Sequence, residues 1–179
     1  MGVLKQIEEY SYSDYIKWEG DWEIISGNAY AMSPSPGRKH QNTASKISGE
    51  LYGFLKGKPC KSFFEFDVLL SEKDVVIPDI IVVCDKNKIT EENVKGAPDF
   101  IVEVLSPSSA KRDRILKVEL YKKHGVKEYW IADPFNCCIE VYNFEKDEHK
   151  LYFMGDGEIA VGIFGEELKM DIDYLFSDE

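Results

Sequence analysis

Two acidic residues lie inside apolar stretches of this chain, where a buried strand ordinarily contains none. Asp79 interrupts the run VVIPDIIVV at residues 75–83, and Glu103 interrupts DFIVEVLS at residues 99–106. Because moving a carboxylate out of water is costly, such a residue is usually paired or bound to a metal. Two carboxylates that converge raise one another's pKa unless a cation lies between them. The pair therefore predicts a site for a hard divalent cation, Mg²⁺ or Mn²⁺, which oxygen ligands favour.

A basic segment follows the second acid. SPS at 106–108 begins a predicted helix of about 14 residues that ends at Gly125. Asp113, Lys117 and Tyr121 recur every four residues in this helix, so they share one face. A lysine on that face is placed to orient a water molecule or to stabilise negative charge on a phosphodiester.

Each of these residues also has a purely structural interpretation. Glu103 suits a buried ion pair with Lys117 or Arg114 instead of a metal. Asp79 suits a residue that ends a strand. Lys117 could be a surface lysine whose side chain lies along its helix, and Tyr121 could be a residue of the hydrophobic core.

Charge is unevenly distributed along the chain. The net charge of −11 argues against a nucleic-acid partner, yet residues 38–61 and 111–127 each carry +5, which leaves −21 elsewhere. Two basic segments on an acidic body can orient a polyanion, unless both are solvated helix faces.

Length and composition predict one domain that spans residues 1–179. A hydrophobic fraction of 44% argues against disorder. Pro78 and Asp79 interrupt the best candidate for a membrane span, and MGVLKQIEEY lacks the features of a secretory signal or a myristoylation site. We therefore expect a cytoplasmic protein with no membrane partner.

The cysteines show no CxxC spacing, and the three histidines are scattered. This pattern predicts reduced thiols and argues against zinc. The cysteines concerned are Cys60, Cys84, Cys137 and Cys138.

The N-terminal half predicts a short helix, a hairpin and a long helix. Residues 13–18 suit a helix capped by Ser13, and WEIISGNAYAMS at 22–33 suits a β-hairpin around SGN at 26–28. SPSPG at 33–37 precedes a helix of about 19 residues with one apolar stripe. His40 lies at the head of that stripe, which continues through Ala44, Ile47, Leu51 and Phe54.

Residues 61–83 predict a second hairpin that turns at residues 72–74. If the turn is centred on Lys73, Asp67 faces Asp79, and a cation between them would remove their repulsion. Pro78 indicates an edge or a bulge, since it cannot donate to a ladder.

The remainder alternates between loops, strands and one helix. Residues 86–99 suit a polar loop with a helical turn, GDG at 155–157 suits a hairpin, and the acidic tail at 170–179 suits a frayed end. The order of elements predicts a mixed sheet with helices packed on it.

Several motifs in a fixed order carry a family resemblance. PD at 78–79, EVLSPS at 103–108, D-x-x-x-K-x-x-x-Y at 113–121 and GVKEYWIADP at 125–134 resemble the restriction-endonuclease-like branch, often called Uma-type, of the PD-(D/E)XK nuclease superfamily. The resemblance runs from the first hairpin to the GDG motif, nearly the whole chain. It implies an α/β (α+β) fold with a mixed central sheet, flanking helices and added β-hairpins.

The resemblance also implies a catalytic site. Asp79 and Glu103 would bind Mg²⁺ or Mn²⁺ and act with a lysine. The superfamily pattern places that lysine two positions after the second acid, where this chain has Leu105, so the branch implies Lys117 instead. Residues implied around the site are His40, Asp67 and Tyr121. In the functional hypothesis that follows, Arg112, Arg114 and neighbouring lysines would contact phosphates.

The leading functional hypothesis is a divalent-metal-dependent DNA endonuclease. The superfamily implies a homodimer, and the acidic body predicts weak, salt-sensitive DNA binding. One alternative is a catalytically silent nucleic-acid or protein-binding module that retains the fold. Another is a nucleotide- or RNA-directed hydrolase that uses the same site.

Overall fold

The computed structural model describes residues 9–32 and 36–178. Its strands are β1 Trp22–Ile25, β2 Asn28–Ala31, β3 Lys61–Phe64, β4 Val68–Ser71, β5 Asp74–Val76, β6 Ile80–Val83, β7 Val94–Lys95, β8 Phe100–Val104, β9 Glu128–Asp133, β10 Cys138–Asn143, β11 Glu148–Phe153, β12 Glu158–Ala160 and β13 Lys169–Asp171. Its helices are α1 Tyr12–Tyr15, α2 Arg38–Leu55, α3 Val118–His124 and α4 Ile172–Phe176, with 3₁₀ turns at Lys86–Lys88 and Gly162–Glu167. A π-helical segment, Arg112–Lys117, runs directly into α3.

A six-stranded mixed sheet in the order β11-β10-β9-β8-β6-β3 forms the centre of the fold. Strands β8 and β9 pair in parallel and the other neighbours pair antiparallel. Every residue of β6, β8 and β9 is buried. Burial on both faces explains why apolar residues predominate along these strands instead of alternating with polar ones.

Two layers cover the central sheet. One face packs against α2, α4 and the β12–β13 pair. The other packs against α3 and a five-stranded sheet in the order β2-β1-β5-β4-β7. The predicted fold, a mixed sheet flanked by helices with added hairpins, is confirmed.

The first hairpin and the long helix match their predictions. Ser26 and Gly27, at φ of 50° and 76°, form the tight left-handed turn between β1 and β2. His40 is buried at the start of α2, on the predicted stripe. Of the segment SPSPG, residues 33–35 lie outside the described residues, as does the N-terminal stretch 1–8. The short helix α1 begins after Ser11, not Ser13, and the Asp14 carboxylate accepts the backbone N–H of Ser11.

The chain crosses between the two sheets on either side of the β4–β5 hairpin, which alters the predicted register. The predicted turn at 72–74 is present, but β4 pairs with β5 while β3 pairs with β6 in the other sheet. Glu65, and not Asp67, lies across from Asp79, since its N–H donates to the Asp79 carbonyl over 3.0 Å. Pro78, which has no backbone N–H, lies in the crossing itself, where no ladder requires a donor, and not at the predicted edge or bulge.

Two predictions for the C-terminal region are wrong. The GDG segment joins β11 to β12 without forming a hairpin, because β11 pairs with β10 and β12 with β13. The tail does not fray within the described residues. Ile172 and Leu175 of α4 are fully buried, and the buried Lys46 Nζ donates to the carbonyls of Tyr174 and Ser177.

The prediction of four reduced thiols is wrong for one pair. Cys60 and Cys84 form a disulfide, while Cys137 and Cys138 are free. Lys61 pairs with Val83 across β3 and β6, so the two bonded cysteines stand at the next cross-strand position. Their spacing along the chain gave no sign of this, because the bond depends on strand register.

No helix within residues 9–32 and 36–178 is both long and apolar enough to cross a membrane.

Candidate active site

Antiparallel pairing of β6 with β8 brings Asp79 and Glu103 together. Ile80 pairs with Val102, so the next residue outward, Asp79, stands across from Glu103. Both line a cavity of about 740 Å³. The backbone N–H of Val104 donates to Asp79 Oδ2 over 2.6 Å. The two acids therefore converge on one space, which the metal-site hypothesis required.

Lys117 is buried against the same site. Its side chain is only 2% exposed, and its Nζ lies 2.7 Å from Glu103 Oε1 and 2.7 Å from Glu23 Oε1. The interpretation of Lys117 as a surface residue is therefore wrong. It ends the π-helical segment, a rare geometry that often occurs at functional sites. Burial by itself lowers the pKa of Lys117, but the charges of Glu103 and Glu23 outweigh burial and raise it.

Glu23 is a site residue that the sequence reasoning missed. It lies in β1, is fully buried, and also accepts the backbone N–H of Ile77 over 3.2 Å. Its second oxygen lies 3.4 Å from Arg112 Nε. The signal that could have found it is the one that identified Asp79: a single acid in an apolar strand.

Tyr121 combines the two roles considered for it. Its ring is fully buried in the core, and its hydroxyl donates to Glu103 Oε1 over 2.8 Å. Asp113, one helical turn before Lys117, is also buried, with its Oδ1 3.5 Å from Lys117 Nζ. The predicted common face of the helix is confirmed.

The Glu103 carboxyl has a pKa well above its usual range. Burial is the largest cause, and Lys117 opposes it. Negative charge on nearby acids raises the pKa further; these are Asp113, Asp79 and Glu23. Four acids thus face three basic side chains, Lys117, Arg112 and His40, so added positive charge would stabilise the ionised cluster.

The donor set fits a hard divalent cation. Both hydrogen bonds of Glu103 go to Oε1, and its Oε2 accepts none from the described part of the chain. Within residues 9–32 and 36–178 no group of three or more His, Cys, Asp or Glu side chains is arranged around one point. Mg²⁺ needs only one or two carboxylates, because water and substrate phosphate complete its shell. Asp79 and Glu103 can supply that pair.

His40 reaches the site from the first turn of α2. Its Nε2 lies 3.3 Å from Asp79 Oδ1, and its side chain is 7% exposed. Burial by itself lowers the pKa of His40, but the hydrogen bond and charge of Asp79 outweigh it and raise the pKa. A protonated His40 would hold Asp79 in place.

Asp67 lines the same cavity without facing Asp79 across a ladder. Its Oδ2 accepts the Tyr15 hydroxyl over 2.8 Å, and burial is the main cause that raises its pKa. Further acids on the cavity wall are Asp21 and Glu65.

The two candidate phosphate ligands point to different places. Arg112 lines the cavity. Arg114 binds Glu140 at 2.6 Å and Asp133 at 3.0 Å, and it is absent from the cavity wall. A phosphate would have to displace two carboxylates to reach Arg114. Arg112, in contrast, is placed to contact a phosphate that enters the cavity.

Comparison with known proteins identifies relatives of this chain and a solved structure with the same fold. A protein from Synechocystis sp. is 24% identical over 174 residues, which cover 92% of this chain and 90% of that protein. A crystal structure from Anabaena variabilis, titled as a putative nuclease belonging to DUF820, is 24% identical with a TM-score of 0.79. The match covers 93% of this chain and 97% of the other, and it shows a shared fold.

The model of one family matches residues 8–171, nearly the whole chain, and confirms the resemblance seen in the motifs. The protein belongs to the Uma2 family, which is described as "Putative restriction endonuclease".

Proposed function

We propose that this protein is a divalent-metal-dependent DNA endonuclease that hydrolyses phosphodiester bonds in the cavity lined by Asp79 and Glu103. The observation that carries the proposal is the register of β6 and β8, which sets these two acids side by side in a buried, acid-rich site. Membership of the Uma2 family supports the nuclease class. Residues 1–179 would form a single nuclease domain.

Asp79 and Glu103 would hold Mg²⁺ or Mn²⁺. When bound, such an ion supplies a water of lowered pKa and neutralises charge that develops on the phosphate. Two ionised carboxylates attract a divalent ion more strongly than a monovalent one, because the Coulomb energy grows with the charge of the ion.

Lys117 would stabilise negative charge and would not act as a base. Its raised pKa keeps the ammonium protonated at neutral pH, so Nζ can donate a proton in a hydrogen bond but cannot accept one. Glu23 and Glu103 hold Nζ from two sides, each at 2.7 Å, and fix its direction. Tyr121 and His40 would position Glu103 and Asp79 respectively.

DNA would enter past Arg112, which meets the cavity from the π-helical segment. A homodimer would place two such sites so that each cuts one strand. Binding would be weak and salt-sensitive, since the chain carries a net charge of −11 and phosphate contacts dominate affinity for DNA.

One observation favours a second candidate, a catalytically silent module that keeps the fold. Lys117 already pairs with Glu103 at 2.7 Å, and an ion pair can stand alone as a structural element. That candidate predicts a folded protein that binds no Mn²⁺.

Plasmid nicking with Mg²⁺ or Mn²⁺ tests the proposal. Wild type should nick, and Asp79→Asn, Glu103→Gln and Lys117→Met should not. Glu119→Gln is the matched control, since Glu119 is an exposed acid on α3. Calorimetric titration with Mn²⁺ should show binding to wild type that Asp79→Ala loses. Nicking that survives Glu103→Gln would refute the site.

A further inference from the structure

A smaller groove of about 220 Å³ adjoins the catalytic cavity. Three apolar side chains line it, Leu105, Pro107 and Phe135, together with residues 37–40 at the start of α2. We call it the Phe135 groove. The endonuclease hypothesis does not use it, and its apolar wall is unlike the acid-rich cavity beside it.

Phe135 is held in place with its ring exposed. Its side chain lies in the turn between β9 and β10 and is 55% exposed. Asp133 Oδ1 accepts the backbone N–H groups of Phe135 and Asn136, each over 3.0 Å. Arg114 in turn donates to Asp133 Oδ2 over 3.0 Å. A large apolar ring presented on a fixed turn is suited to stacking against a flat ligand.

The groove and the catalytic cavity are adjacent. Both are lined by Gly37, His40, Ser106 and Pro107. A ligand group in the Phe135 groove would thus be a close neighbour of a group in the cavity. If the cavity holds the scissile phosphate, the groove holds part of an adjacent nucleotide.

The charge around the groove suits a phosphate-linked ligand. Arg38 and Lys39 stand in the first turn of α2, which contains no acidic residue. Arg38 pairs at the surface with Asp178 over 2.9 Å, so Lys39 is the cation nearest to the Phe135 ring that the groove can offer a phosphate. Lys39 Nζ lies 5.7 Å from the centroid of the Phe135 ring, within cation–π range. The positive end of the helix dipole adds to this charge. An apolar slot edged by cations matches a nucleobase with its flanking phosphate.

We propose that the Phe135 groove binds one unpaired nucleobase of the substrate strand, next to the phosphate that is cleaved. The inference rests on the proposed function and narrows its substrate to single-stranded or locally unpaired DNA. The groove is smaller than the cavities of about 300–1,000 Å³ that hold drug-sized ligands, so it suits a single base and not a base pair. A base must leave its stack to enter.

The test uses a single-stranded oligonucleotide with one abasic site placed at successive positions. Affinity is measured by fluorescence anisotropy in EDTA, where no cleavage occurs. For wild type, an abasic site at one position should weaken binding about tenfold. Phe135→Ala should bind the intact oligonucleotide about tenfold more weakly and lose this sensitivity, whereas Phe135→Trp should retain both. Tyr52→Ala, which removes an exposed ring of α2 outside both cavities, should match wild type.

The inference would be overturned if Phe135→Ala bound the intact oligonucleotide as tightly as wild type. It would also be overturned if an abasic site still weakened binding to Phe135→Ala, an effect called the abasic penalty below. Mn²⁺-dependent cleavage of plasmid and of the intact single-stranded oligonucleotide is followed in parallel to separate the two proposals. If wild type nicks plasmid but shows no Phe135-dependent abasic penalty, the groove assignment fails and the endonuclease stands. If the penalty is present and wild type cuts no DNA, the groove assignment stands and the endonuclease fails.

Discussion

Lys117 Nζ lies 2.7 Å from Glu103 Oε1, and both side chains are almost wholly removed from water. The residues come from different elements, the end of the π-helical segment and strand β8. Glu23 holds the same ammonium from the five-stranded sheet. One buried cation thus links three of the parts of the fold that surround the cavity, so changes at this point should affect stability as well as activity.

Lys117→Met should destabilise the protein by about 3–5 kcal/mol at pH 7, because it leaves buried acids without their cation. Urea denaturation measures the change. Lys123→Met, which alters an exposed lysine of α3, should stay within about 0.5 kcal/mol of wild type. An unchanged free energy of unfolding for Lys117→Met would show that the network contributes little.

Stability without divalent ions should fall as pH rises from about 5 to 8. The folded-state pKa values of Glu103, Asp113 and His40 are all raised. A group with a raised folded pKa stabilises below its unfolded pKa, and this stabilisation is lost as pH rises through the folded value. Glu103→Gln should flatten the profile. A profile that rises over this interval would contradict the direction of these shifts.

Mn²⁺ should stabilise wild type more at pH 8 than at pH 5.5, because the ion binds ionised carboxylates and competes with their protons. Urea denaturation at fixed Mn²⁺ concentration measures the difference at the two pH values. Asp79→Asn should remove the stabilisation at both. Equal stabilisation of wild type and Asp79→Asn would place the ion elsewhere.

Glu23→Gln should reduce nicking at least about tenfold while changing Mn²⁺ affinity little, since Glu23 orients Lys117 and is not a proposed metal ligand. Nicking rates and calorimetric Mn²⁺ affinity are compared for the same preparation. Glu140→Gln, an acid that binds Arg114 away from the cavity, serves as the control. Loss of Mn²⁺ binding in Glu23→Gln would reassign Glu23 as a metal ligand.

Reduction of the Cys60–Cys84 disulfide should lower the free energy of unfolding by about 3.5 kcal/mol, the chain-entropy value for a loop of this length. Urea denaturation with and without dithiothreitol measures it. Cys60→Ser should match the reduced protein and show no response to dithiothreitol. A wild type indifferent to the reductant would mean that the thiols are not bonded in solution.

Local pattern was sufficient to predict the parts of the site that lie within one element. Asp79 and Glu103 stood out as acids in apolar runs, and the spacing of four put Lys117 and Tyr121 on one face of a helix. The stripe that begins at His40 turned that residue inward. Each inference needed only the periodicity of apolar residues and the free-energy cost of burying a charge. Both can be judged from the residues that are close along the chain.

The tertiary structure decided which residues from distant segments meet. Glu23 joins Lys117 only because the five-stranded sheet packs over α3, and Glu65 replaces Asp67 opposite Asp79 because the chain changes sheets at Pro78. The Cys60–Cys84 bond depends on the same register. The periodicity of apolar residues predicts which side of a helix or strand is buried. Which strand pairs with which, and in what register, depends on packing across the whole chain, and no local pattern contains that information.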